Sequence, residues 1–113
     1  MINNEKTLKV RGLNDQLRTT GAGHNGRVIA VGSLAQAGQE ILEKAVKGLR
    51  SFADFSEDND PYGEHDCASF EVDGERFMFK IDYYTLDELH GSEHPEDPAV
   101  TIRVCSVFYT SDY

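Results

Sequence analysis

Residues 58–66, D-N-D-P-Y-G-E-H-D, place Asp58, Asp60, Glu64 and Asp66 beside the phenol of Tyr62 and the imidazole of His65. Carboxylates and a histidine at this density suit three kinds of chemistry: metal binding, proton transfer, or recognition of a cationic surface. Read as a calcium loop starting at Asp58, positions one, three and six match as Asp58, Asp60 and Gly63. Position five is Tyr62, however, and position twelve is Ser69 where a bidentate Glu is required. His90 and His94 have the spacing of zinc ligands on a helix, but Gly91 and Pro95 argue against a helix there, and two ligands do not close a site. No metal and no cofactor is therefore expected. Gly21, Gly23 and Gly26 do not form a phosphate loop either, because no G-K-[ST] or G-x-G-x-x-G pattern opens a helix.

Proton transfer depends on what stands opposite His65. Asp73-Gly74 between two alternating runs is the signal of a two-residue hairpin turn, since both residues tolerate positive φ. That turn pairs Val72 with Glu75, Glu71 with Arg76, Phe70 with Phe77, Ala68 with Phe79, Cys67 with Lys80, and His65 with Asp82. Ala68, Phe70, Val72, Phe77, Phe79, Ile81 and Tyr83 then share one face, and His65, Cys67, Glu71, Arg76, Lys80 and Asp82 the other. By the same alternation Arg103 joins the polar face. A polar site follows in which Asp82 orients His65 as acid or base while Lys80 or Arg103 holds an anion. No nucleophile and no oxyanion hole accompany it, and paired charges on an exposed sheet ordinarily serve cross-strand stabilisation.

These residues need a scaffold. Residues 4–19 carry Leu8, Leu13 and Leu17 at helical spacing, with Val10 near the same side and Gly12 as a weak point. Residues 27–31 are a short β-branched run. Residues 36–52 form the strongest helix: Ile41, Leu42, Ala45, Val46, Leu49 and Phe52 make one apolar stripe, and Glu40/Lys44 and Glu43/Lys47 are favourable i,i+4 pairs. After the hairpin, residues 85–98 read as a loop holding Asp87, Glu88, Glu93, Glu96 and Asp97, and residues 100–109 as a further strand. The fold class is α+β: a single small domain over residues 1–113, two helices packed on one face of a mainly antiparallel sheet of about four strands, in the order helix-strand-helix-strand-strand-strand.

The net charge of −9 is divided unevenly. Residues 1–50 hold eight Lys/Arg against four Asp/Glu, whereas residues 51–113 hold three against sixteen. A surface this acidic repels nucleic acid and anionic membranes and attracts basic partners. Residues 1–9 are too polar for a signal peptide and no apolar run is long enough to span a bilayer, so a cytoplasmic protein with Cys67 and Cys105 reduced is expected.

D-N-D-P-Y-G-E-H-D, F-E-V-D-G-E-R, K-I-D-Y-Y and D-P-A-V-T-I-R-V together resemble an uncharacterised domain family of alphaproteobacteria. Its members share N-D-P-Y-G-E-H-D-F-G, K-I-D-Y-Y-D and D-P-A-V-T-x-R-V. The resemblance runs from Leu13 to Tyr113; Cys67-Ala68 stands where the family has Phe-Gly, and Thr85 where it has Asp. It implies an accessory protein of mobile elements, encoded beside antirestriction-type genes and countering host defence, and it brings no catalytic role.

Three expectations follow. The first is a non-enzymatic acidic binding protein whose surface, Asp54, Asp58, Asp60, Tyr62, Glu64, His65, Asp66, Asp87, Glu88, Glu93, Glu96 and Asp97, occupies a basic protein surface such as that of a nucleic-acid-binding complex, without binding nucleic acid or membrane itself. The second is an enzyme or ligand site on His65, Lys80, Asp82 and Arg103. The third is a homodimer paired through residues 100–109 as an exposed edge strand.

Overall fold

The computed structural model describes residues 4–113. The first three residues of the polar segment read above as no signal peptide lie outside the described residues.

Helix α1 (Glu5–Thr20) is opened by Asn4, whose side chain accepts from the Thr7 amide at 2.7 Å. It is closed by Gly21 at φ 76°, whose N–H donates to Leu17 O. Its inward face is rotated from the one the leucines predict. Thr7, Val10, Asn14, Leu17 and Arg18 are buried, while Leu8 is 47% exposed. Counting leucines misplaced the stripe because polar side chains also turn inward, and those of Asn14 and Arg18 find partners there.

Strand β1 (Gly26–Ala30) leads through a short 3-10 turn at Gly32–Gln36 into helix α2 (Gln39–Ser51). The hairpin of β2 (Cys67–Val72) and β3 (Glu75–Tyr84) has the expected register from Cys67↔Lys80 to Val72↔Glu75. Asp73 and Gly74 sit at φ 51° and 82°, the paired positive values of a type I′ turn. Strand β4 (Ile102–Tyr109) lies antiparallel to β3 and parallel to β1, giving the order β1-β4-β3-β2. The element order is as expected, and the parallel β1/β4 pair makes the sheet mixed.

Both helices cover the same face. Phe77 and Phe79 are fully buried there, with Leu17, Leu34, Ala45, Leu49, Ile81, Cys105 and Val107. Both cysteines are free thiols, and burial pushes that of Cys105 up to about 12.

Two expectations about β4 are corrected. It lies between β1 and β3, so it is not an edge, and the proposed self-pairing through it has no free backbone to use. Arg103 also pairs with Tyr83 and shares the helix-covered face with Cys105 and Val107. Alternation groups residues into two faces but does not say which face is which. β4 is apolar on both, with Val104 and Phe108 buried on the outer side, so nothing in the strand itself settled the choice.

Candidate functional site

The conspicuous polar segment is a turn braced from within. Asp60, 2% exposed, points inward, and its carboxylate accepts from the His65 amide at 3.2 and 3.3 Å. Its own N–H donates to Ser56 O at 2.8 Å, and its carbonyl accepts from Gly63 N at 3.1 Å, closing a four-residue turn with Pro61 at the second position. Gly63 at φ 74° and His65 at φ 56° reverse the chain. For a histidine that conformation is uncommon and persists only when its surroundings over-determine it.

Helix α1 supplies those surroundings. Positions 11, 14, 15 and 18 share one side of a helix. Arg11 Nε donates to Gly63 O at 2.6 Å and Asn14 Nδ2 to Glu64 O at 3.0 Å, while Asp15 lies 2.9 Å from His65 Nδ1. The His65 ring stacks on Phe55 with centroids 3.8 Å apart and planes 4° from parallel, and its Nε2 is 3.6 Å from Asp60. Arg18, buried against Phe55 and Phe79, donates to the carbonyls of Leu49 and Phe52 at 2.8 and 2.6 Å, placing a cation at the negative end of α2.

Behind the turn runs a second network. Tyr83 donates to Glu64 Oε1 at 2.8 Å and accepts from Asn14 Nδ2 at 2.8 Å. Asn14 Oδ1 in turn accepts from Arg103 Nε at 2.6 Å, and the Arg103 guanidinium also donates to Pro95 O and lies 5.1 Å from the Tyr83 ring centroid. Burial raises the Tyr83 hydroxyl well above the ordinary phenol range and lowers the Arg103 guanidinium from its ordinary value. The Asp66 carboxyl is also raised, mainly by burial and then by the charge of Glu64.

The second acidic segment is tied to α1 and to the start of β1. Asn25 Nδ2 donates to Pro98 O at 3.0 Å, Lys6 Nζ is 3.7 Å from Glu96, and Arg27 pairs with Glu88. The Thr85 hydroxyl, at 2.5 Å, holds the Asp87 carboxyl below its ordinary range. Backbone hydrogen bonding does the same for Glu96.

The twelve residues expected to form one acidic surface therefore divide. Asp54, Asp58, Tyr62, Asp87, Glu88, Glu93 and Asp97 are exposed. Asp60 is buried, and Glu64, His65, Asp66 and Glu96 are partly covered, so these five build the platform more than they face solvent. Tyr62, at the tip of the braced turn, is 68% exposed.

The alternative site does not assemble. Lys80 and Asp82 pair at 3.6 Å on the outer face, as Arg76 and Glu71 do at 3.9 Å. His65 precedes β2, faces Asp15 instead of Asp82, and lies with Arg103 on the helix side of the sheet. The reason is its positive φ, which breaks the alternation that the pairing with Asp82 assumed. Among the described residues no group of three or more His, Cys, Asp or Glu is arranged to hold a metal ion, and no helix is long and apolar enough to cross a membrane.

Sequence reading missed Arg11, Asn14, Asp15 and Arg18 as partners of the turn. Their i, i+3, i+4, i+7 spacing was the available signal, and it looks the same as an ordinary solvated helix face. No curated protein and no solved structure shows detectable similarity to the chain. The family model described as protein of unknown function (DUF3768) matches residues 30–112, which takes in the turn, the hairpin, both acidic segments and β4, and the chain belongs to that family.

Proposed function

We propose that this is a non-enzymatic binding protein that presents a rigid acidic surface, with Tyr62 as its aromatic anchor, to a basic protein partner. The observation that carries this reading is the contrast at residues 60–63. A buried carboxylate, a histidine at positive φ and two side chains from α1 hold the turn, yet its tip is an aromatic ring left in water. Aromatic rings on preorganised backbone lose little freedom on binding and are over-represented among residues that dominate interface energetics. The two loops together hold eleven of the chain's twenty carboxylates and no lysine or arginine: six in residues 54–66, which carry this ring, and five in residues 85–98. Such a field steers a cationic partner and rejects an anionic one.

An enzymatic reading lacks this kind of support. The polar side chains that do converge, those of Asn14, Glu64, Tyr83 and Arg103, satisfy one another, and they line neither the open groove along α2 nor the smaller hollow between Thr85 and Val100. The finer reading, an inhibitor carried by mobile elements, rests on the sequence resemblance and on charge. A nucleic-acid-handling defence complex has a basic groove that holds phosphates, and an acidic protein can occupy it.

The test is a photo-crosslinking amino acid placed at position 62 of the full chain, with position 76 on the outer sheet face as control, in a bacterial lysate. The reading expects a discrete adduct from position 62 that is lost as salt is raised, and none from position 76. Equal, salt-insensitive labelling from both positions would overturn it.

A further inference from the structure

We propose that the outward face of α2 is a self-complementary docking surface on which two copies of this chain pair, helix against helix and antiparallel. The helix turns Ala45 and Leu49 into the core, and a Cβ at Gly48 would meet the Phe70 ring at 2.6 Å. On the opposite side, Gln39, Glu43, Val46 and Arg50 follow one another at helical spacing, with Leu42 and Lys47 beside them, and they line a shallow, open groove. Val46 is half-buried on this outer face and stands outside the core cluster, whereas Leu42 beside it also packs against the core.

Charge order selects the occupant. The N-terminal half of the face carries Gln39 and Glu43, whose side chains are joined at 3.0 Å, and the C-terminal half carries Lys47 and Arg50. In an antiparallel two-fold pairing, Glu43 falls level with the partner's Lys47 and Gln39 with the partner's Arg50, while Val46 lies near the two-fold axis. A parallel pairing would set Glu43 on Glu43 and Lys47 on Lys47, which is repulsive. Long-range charge points the same way. Two chains of net charge −9 repel through their acidic loops, whereas α2 carries Lys44, Lys47 and Arg50, three of the chain's eleven cations. The face therefore suits a second copy better than a strongly acidic or strongly basic foreign surface.

One helix face per copy buries less than the ~1,200–2,000 Å² of a stable complex, so the pairing is weak. This inference is independent of the Tyr62 surface, which lies on different elements.

Sedimentation velocity over about 5–500 µM tests it with wild type, Glu43→Lys, Lys47→Glu and an equimolar mixture of the two variants. Wild type is expected to dimerise with rising concentration and each variant alone to weaken by at least about tenfold, because like charges then face each other across the two-fold. The mixture is expected to recover dimer, since in the mixed pair each contact between position 43 of one chain and position 47 of the other again joins opposite charges. That recovery also shows that both variants are folded. Wild type monomeric throughout, variants that dimerise as wild type does, or a mixture that fails to recover would each overturn the proposal.

Discussion

Asn14 accepts a hydrogen bond from Arg103 Nε at 2.6 Å, joining side chains 89 positions apart in the chain. The same amide donates to Glu64 O and to the Tyr83 hydroxyl. A buried guanidinium thus receives neutral acceptors, from Asn14 and Pro95, and its nearest link to a carboxylate passes through Asn14 and Tyr83 to Glu64. Only a side chain with both an acceptor and two donors can stand at that junction. Through it, α1, the acidic turn, β3 and β4 are fixed to one another.

Asn14→Ala is expected to destabilise the protein by about 3 kcal/mol, because it leaves Arg103, Glu64 O and Tyr83 each short of a buried partner. Leu8→Ala, on the exposed side of the same helix, is expected to change stability by less than about 0.5 kcal/mol. Urea denaturation of the two variants makes the comparison; equal effects would show that the buried amide is not the junction described.

Two helix-interior glycines should respond to alanine with opposite signs. A Cβ at Gly12 would meet nothing within 4 Å, so Gly12→Ala is expected to add about 1 kcal/mol from helix propensity alone. A Cβ at Gly48 would meet the Phe70 ring at 2.6 Å and Val72 at 2.7 Å, so Gly48→Ala is expected to lose about 1–3 kcal/mol despite the same propensity gain. Thermal melts of the pair decide it.

Asp66 gives a dependence on pH. Burial, and then the charge of Glu64, raise its carboxyl above the ordinary range, so the folded state favours the protonated form. That contribution is fully present below the unfolded value near ~3.9 and is lost as pH rises through the raised folded value. Asparagine mimics the neutral form at every pH. Asp66→Asn is therefore expected to be more stable than wild type at pH 7.5, with the difference shrinking on acidification and gone below ~3.9. A difference that persists at low pH would assign the effect to something other than charge.

Local rules read the hairpin correctly, since Asp73-Gly74 selects its turn and the turn sets every pair up to Cys67↔Lys80. They failed at His65, whose positive φ is held by Asp60 close by and by Asp15 of α1, 50 positions away and outside any window of sequence around it. Arg103 failed differently: alternation puts it on the same side of its strand as Cys105 and Val107, but only pairing with β3 reveals that this side, and not the polar one, faces the helices. The acidic surface was half legible. Composition found the carboxylates, whereas the separation of exposed Asp58 and Tyr62 from buried Asp60 depends on the turn geometry that Arg11 and Asn14 enforce from far away.

The most direct measurement of the central claim is retention of the partner crosslinked from position 62 on immobilised Tyr62→Ala protein, compared with wild type and alongside a thermal melt of each. Tyr62 is exposed at the tip of a turn braced by other residues, so stability is expected to stay within about 0.5 kcal/mol while retention falls at least about tenfold. Undiminished retention by a folded Tyr62→Ala protein would contradict the account.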